Sequence, residues 1–239
     1  MPAMRGEGAR IKGFIEASFV DWPGRVASVV FLPGCNLRCP FCHNHPLVLN
    51  PGAVKDIPLD HVLARLKDHE GWVDGVVVTG GEPTVSPGLD GLLGRFKRLG
   101  LTVKLDTNGT RPEVIQRLIK EKLVDAVAMD VKAVPLAPYL YEKAAGSKVD
   151  LGAITDSILL LVGSPIEVTF RTTVVPGLHD SGAVKAIAEA LHGRPLVLQN
   201  FRPDDALEPS YRHIRPFTPE EFDELQRAAN RGTEKASPP

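Results

Sequence analysis

All three cysteines of the chain fall in one loop, Pro33-Gly34-Cys35-Asn36-Leu37-Arg38-Cys39-Pro40-Phe41-Cys42-His43-Asn44, with the spacing C-x3-C-x2-C. An odd, clustered set is a poor disulfide framework and a good set of soft ligands for zinc or an iron–sulfur cluster. A structural zinc site wants four protein ligands. His45 is the residue that could complete a Cys3His site, since His43 adjoins Cys42 and reaches the same metal poorly. A [4Fe–4S] cluster usually takes four cysteines. Three would leave one iron open to a substrate or cofactor, which is a catalytic arrangement more than an electron-relay one. The cysteine usage points to a reducing, cytoplasmic setting.

The elements that must position this loop alternate in type. Val26–Leu32 reads as a buried strand, and the cysteine loop follows it directly. Gly75–Val78, Leu101–Leu105, Ala126–Met129, Ile166–Val175 and Leu196–Gln199 read as further strands. Helical periodicity marks Leu59–His69, Leu89–Leu99, Arg111–Lys122, Asp150–Val162, Ala183–Leu191 and Phe217–Ala229. Pro112 sits in the first turn of its helix, and Thr218 and Pro219 provide the N-cap and first position of the last. About six βα units argue for a parallel sheet covered by helices, either an open doubly wound sheet or a partial barrel. Both place ligands beyond the C-terminal ends of the strands. Thr79-Gly80-Gly81-Glu82-Pro83, Leu105-Asp106-Thr107-Asn108-Gly109, Met129-Asp130-Val131-Lys132 and Val174-Val175-Pro176-Gly177 all lie at such ends.

Composition narrows the remaining classes. Hydrophobic residues at 43% and charged residues at 24% exclude a disordered chain, a collagen and a coiled coil. A net charge of −1 gives no support to nucleic-acid or anionic-membrane binding, and neither partner is expected. No apolar run reaches the roughly 20 residues that span a bilayer. Met1–Arg10 lacks the apolar core of a secretory signal. Residues 1–10 read as a flexible N-terminus and 232–239 as a disordered tail.

The cysteine spacing, the aromatic Phe41 before the third cysteine, and the Gly80-Gly81-Glu82-Pro83 segment together resemble the radical S-adenosylmethionine (radical SAM) superfamily. Gly13-Phe14-Ile15 and Val20-Asp21-Trp22-Pro23-Gly24-Arg25 extend the resemblance to the activating enzymes of glycyl-radical enzymes. Within those, the chain is most similar to anaerobic ribonucleoside-triphosphate reductase activating proteins, over roughly residues 11 to 203. The fold expected is α/β, a partial (β/α)6 barrel of parallel strands covered by helices, with residues 11–231 as a single radical SAM domain.

The resemblance implies that Cys35, Cys39 and Cys42 are the metal-binding and catalytic cysteines, each holding one iron of a [4Fe–4S] cluster. The fourth iron would chelate the amino and carboxylate groups of S-adenosyl-L-methionine. The reduced cluster would pass one electron into the sulfonium, giving methionine and a 5′-deoxyadenosyl radical. Gly80 and Gly81 would let backbone approach the methionine moiety, and Glu82 would offer oxygens to its ammonium group. Phe41 would stack on adenine or pack in the core. Asp130 and Lys132 share a side of an extended segment, where Lys132 would meet the cofactor carboxylate and Asp130 a ribose hydroxyl or a cation. Asp106 and Thr107 would bind a monovalent cation beside the sulfonium, or else cap a turn. Arg171, a charge in an apolar strand, needs a partner and matches an arginine near the cofactor. Arg202 is assigned to the cofactor too, although related activases often carry histidine near this point. The remaining histidines read mostly as surface or turn residues.

The substrate implied is a protein, a glycyl-radical enzyme, with flavodoxin or a ferredoxin-type protein as reductant. A radical SAM enzyme acting on a small molecule or another protein residue is the alternative. A zinc-stabilised binding module is the competing reading from a different class.

Overall fold

This computed structural model describes residues 8–235, and 1–7 and 236–239 lie outside the described residues. The apolar runs form β2 (Ala27–Leu32) and β3 (Gly75–Gly80), which pair in parallel with Val29 beside Val77. Both are buried almost throughout, as unbroken apolar sequences require. β4 (Thr102–Thr107) runs parallel to β3 with Lys104 beside Val77. β5 (Ala126–Asp130), β6 (Glu167–Val174) and β7 (Leu196–Asn200) follow, β6 and β7 parallel. β1 (Gly13–Ser18) pairs antiparallel with β2. The order along the sheet is β1-β2-β3-β4-β5-β6-β7, with β1 and β7 as its open edges. The expected open, mainly parallel α/β architecture is therefore what forms.

The helices are α1 (His45–Leu49), α2 (Leu59–Asp68), α3 (Leu89–Arg98), α4 (Pro112–Lys120), α5 (Pro138–Ala145), α6 (Leu151–Val162), α7 (Ser181–Glu189) and α8 (Pro219–Lys235). Asp150 and Asp180 cap α6 and α7, their carboxylates accepting from the N–H groups of Gly152 and Ala183 at 2.9 and 2.7 Å. At α8 the Thr218 hydroxyl accepts from the Glu221 N–H and the Glu221 carboxylate accepts from the Thr218 N–H, a reciprocal capping box. Among the described residues no helix is long and apolar enough to cross a membrane.

The chain divides into two compact units. The first takes its described residues from Met1–Asn36, Pro46–Thr107 and Glu113–Val127; the second from Leu37–His45, Asn108–Pro112 and Ala128–Pro239. In the first, Trp22 packs with Ala27, Val29, Val77 and Ala126. Gly75 makes this possible, because a Cβ there would stand 2.9 Å from the Trp22 ring and 2.7 Å from the Thr102 carbonyl. In the second, Phe170, Val174, Tyr141, Ile158 and Val184 are buried.

Four elements differ from the sequence reading. α1 directly follows the cysteine loop and, at five residues, is too short for periodicity to mark. β1 is an edge strand with alternating burial, so it lacks the apolar run that marks its neighbours. α5 is short and lies outside the helices that periodicity marks. α8 continues past Ala229 to Lys235, with Gly232 buried. At the other end Arg10, placed in the flexible segment, holds Asp56 through two hydrogen bonds of 3.1 and 2.8 Å.

Candidate functional site

Six of the sequence-identified residues belong to the first unit. β2 leads through Pro33 and Gly34 to Cys35, and β3 ends at Gly80 beside it. The Gly81 N–H donates to the Leu32 carbonyl at 2.9 Å and the Glu82 N–H to the Gly34 carbonyl at 2.8 Å. Gly80 has φ +115°, and a Cβ there would meet the Leu32 backbone; one at Gly81 would overlap the Gly34 carbonyl oxygen. The glycines are thus required by contact with the chain that feeds the cysteine loop.

Glu82 is 1% exposed. Its Oε1 accepts from the Thr84 N–H at 3.0 Å, the Thr84 hydroxyl at 2.5 Å and the Thr107 hydroxyl at 2.7 Å. These bonds fix the 3-10 turn Pro83–Val85 to the end of β4. Asp106 and Thr107 are adjacent on a strand and point to opposite faces. Thr107 meets Glu82, whereas the Asp106 carboxylate lies 3.4 Å from the Lys104 ammonium.

The second unit holds Cys39, Phe41, Cys42, Asp130, Lys132, Arg171 and Arg202. Arg171 Nε donates to Asp130 Oδ1 at 2.9 Å, and Lys132 Nζ to Oδ2 at 3.3 Å. The partner that Arg171 needed is therefore Asp130. Burial pushes the Asp130 carboxyl up, but Arg171 and Lys132 overcome it and hold it at about 2. For Lys132 burial works downward, and the Asp130 charge more than reverses it. Two cations face one carboxylate, so these three charges sum to one positive charge. Burial raises the Cys39 thiol, and the Lys132 charge opposes that rise. Phe41 is buried. Arg202 is exposed, and its carbonyl accepts from the His43 ring N–H at 2.7 Å.

Cys35, Cys39 and Cys42 are half-buried thiols outside any disulfide, and the Cys42 N–H donates to the Cys39 carbonyl at 3.0 Å. Among the described residues no three His, Cys, Asp or Glu side chains are gathered as ligands of a single metal ion. The donor chemistry fits an iron–sulfur cluster, in which each thiolate serves its own iron.

One buried residue escaped the sequence reading. His179 is 4% exposed; its Nδ1 accepts from the Val175 N–H at 3.0 Å and its Nε2 donates to the Lys132 carbonyl at 2.9 Å. The imidazole thereby ties the end of β6 to the Lys132 backbone. Burial lowers its pKa, so the unfolded chain takes up the proton first and stability falls as pH drops below about 6.5. His179→Gln is expected to cost about 1–2 kcal/mol at neutral pH, with the cost shrinking toward acid. Thermal unfolding of both proteins at matched pH values checks this, and a pH-independent difference would refute it.

The family profile of the radical SAM superfamily matches residues 29–190. A Methanocaldococcus jannaschii protein named as a glycyl-radical enzyme activating enzyme is 33% identical over 93% of this chain and 92% of its own length. The pyruvate formate-lyase-activating enzyme of Clostridium pasteurianum is 29% identical over 72% of this chain and 71% of its own. Among solved structures, Streptococcus suis SuiB bound to its precursor peptide SuiA has a TM-score of 0.63 at 16% identity, covering 87% of this chain and 45% of SuiB. That last likeness concerns the fold alone.

Proposed function

The chain belongs to the radical SAM superfamily, and from that premise we propose that it cleaves S-adenosylmethionine reductively at a [4Fe–4S] cluster to leave a glycyl radical on a partner enzyme. The observation that carries the reading is the Asp130–Lys132–Arg171 network, whose Lys132 charge acts on the Cys39 thiol. A cation suited to a carboxylate lies near enough to a cysteine suited to iron for its charge to act on the thiol.

Each residue has a task in this reading. Cys35, Cys39 and Cys42 hold three irons. Lys132 binds the cofactor carboxylate, and Asp130 keeps Lys132 and Arg171 oriented. Glu82 fixes its turn so that the neighbouring backbone carbonyls keep one direction toward an ammonium group. Cluster and cofactor together supply one-electron cleavage and hydrogen-abstracting chemistry; the protein binds, orients and shields them. Residues 11–231 act together in this role.

The partner in this reading is anaerobic ribonucleoside-triphosphate reductase, with flavodoxin or a ferredoxin-type protein as reductant. The sequence resemblance supports that choice, while one of the relatives above names pyruvate formate-lyase. Protein purified and reconstituted without oxygen, then reduced with dithionite, is expected to form 5′-deoxyadenosine and to produce a glycyl-radical EPR doublet on the partner. Bound zinc without iron, and no cleavage after reconstitution, would overturn the reading. Cleavage that responds only to a small molecule would overturn the protein substrate.

A further inference from the structure

Lys104 is a buried charge in β4 that ordinary strand composition does not explain. It lies between Val103 and Leu105, and its side chain is only 6% exposed. The parallel register sets it beside Val77, on the face that Trp22 covers. Two residues on, Asp106 shares that face. The Lys104 ammonium donates to the Asp21 carbonyl at 2.5 Å and stands 3.4 Å from Asp106 Oδ1, whose side chain is 11% exposed. A buried ammonium is tolerated only when paired. Here it is paired on both sides, with the loop that carries Trp22 below and the carboxylate at the strand end above.

We propose that Lys104 is the built-in counter-cation of Asp106 and takes the place of the monovalent cation that the family resemblance implies at Asp106 and Thr107. The proposal rests on the reading that Asp106 faces S-adenosylmethionine. Three observations converge on it. The ammonium is fixed by the Asp21 carbonyl and so cannot leave with the ligand. It stands within ion-pair distance of the carboxylate that a free cation would bind and offsets its charge, without donating a hydrogen bond to the buried Oδ1. Thr107, the second oxygen expected to hold that cation, is oriented by donating its hydroxyl proton to Glu82. Lys104 touches no reacting atom; it is a positioning residue acting through Asp106.

The test compares potassium with choline, which is too bulky for such a site, at matched ionic strength. Two readouts are taken on the anaerobically reconstituted holoenzyme: Kd for S-adenosylmethionine by equilibrium dialysis, and Tm. Wild type is expected to give the same Kd and Tm in both salts. Lys104→Met is expected to bind S-adenosylmethionine about tenfold more weakly in choline, with much of the loss and a lowered Tm restored by potassium. Lys104→Arg is expected to regain the wild-type indifference. A purely packing role would weaken Lys104→Met equally in both salts, and that result overturns the proposal. So does a wild type whose Kd or Tm depends on potassium, a measurement that needs no variant. Failure of wild type to bind S-adenosylmethionine in either salt would instead sink the proposed function, while the salt dependence of Tm still decides whether Lys104 serves Asp106 as its cation.

Discussion

Cys39→Ala protein, purified without oxygen and reconstituted, is expected to lose most of its iron and sulfide and to cut 5′-deoxyadenosine formation at least about 10³-fold. The thiol is chosen for its surroundings. Burial raises it and the Lys132 charge opposes that rise, so in the proposed role this cysteine would couple a ligand to the charged network formed by Asp130 at the end of β5, Lys132 just beyond it and Arg171 within β6. Removing it leaves two attachments for a cluster on a loop that has no fourth cysteine to recruit. Lys132 keeps its pairing with Asp130, so the fold is expected to survive with an unchanged far-ultraviolet circular dichroism spectrum. Iron analysis and chromatography of the nucleoside product decide the matter. A variant that keeps both iron and turnover would remove Cys39 from the metal site.

Gly81→Ala is expected to lower stability by about 3 kcal/mol, which for a chain of this size is a fall in Tm of about 6–12 °C. The added Cβ would overlap the Gly34 carbonyl oxygen. Neither side can yield cheaply, because both are backbone and both are pinned by the bonds Gly81 N–H to Leu32 and Glu82 N–H to Gly34. Gly91→Ala is the matched control. Gly91 lies exposed in α3 with nothing near its Cβ position, and the change is expected to add about 0.5–1 kcal/mol of stability. Equal melting temperatures for the two variants would contradict this account of the glycine pair.

The parallel strands were legible because burial on both faces writes an unbroken apolar run. The cysteine loop was legible because its spacing is compact. β1 was harder, since an edge strand buried on alternate residues leaves a half-strength signal in six residues. Arg171 and Lys104 make an instructive pair. Both are charges in apolar strands, and the argument that demanded a partner for Arg171 applied equally to Lys104. The signal was present in Val103-Lys104-Leu105-Asp106, but its partner, the Asp21 carbonyl, is a backbone atom that no side-chain pattern announces. His179 was hidden for the same reason, because both its hydrogen bonds go to the main chain. Arg202 was read from its place after a strand; its side chain is exposed, and its backbone carbonyl accepts from the His43 ring N–H.

Each strand lies in the sheet beside the strand that precedes it in the chain, from β1 through to β7. Pairing of this kind closes successive short loops instead of distant ends, which favours rapid folding. A ribosome releasing this chain would deliver every new strand to an edge already waiting for it. The cysteine loop, however, leaves the ribosome right after β2, well before β5 and β6 bring Asp130, Lys132 and Arg171. During synthesis the three thiols therefore stand without the Lys132 and Asp130 charges that later act on Cys39.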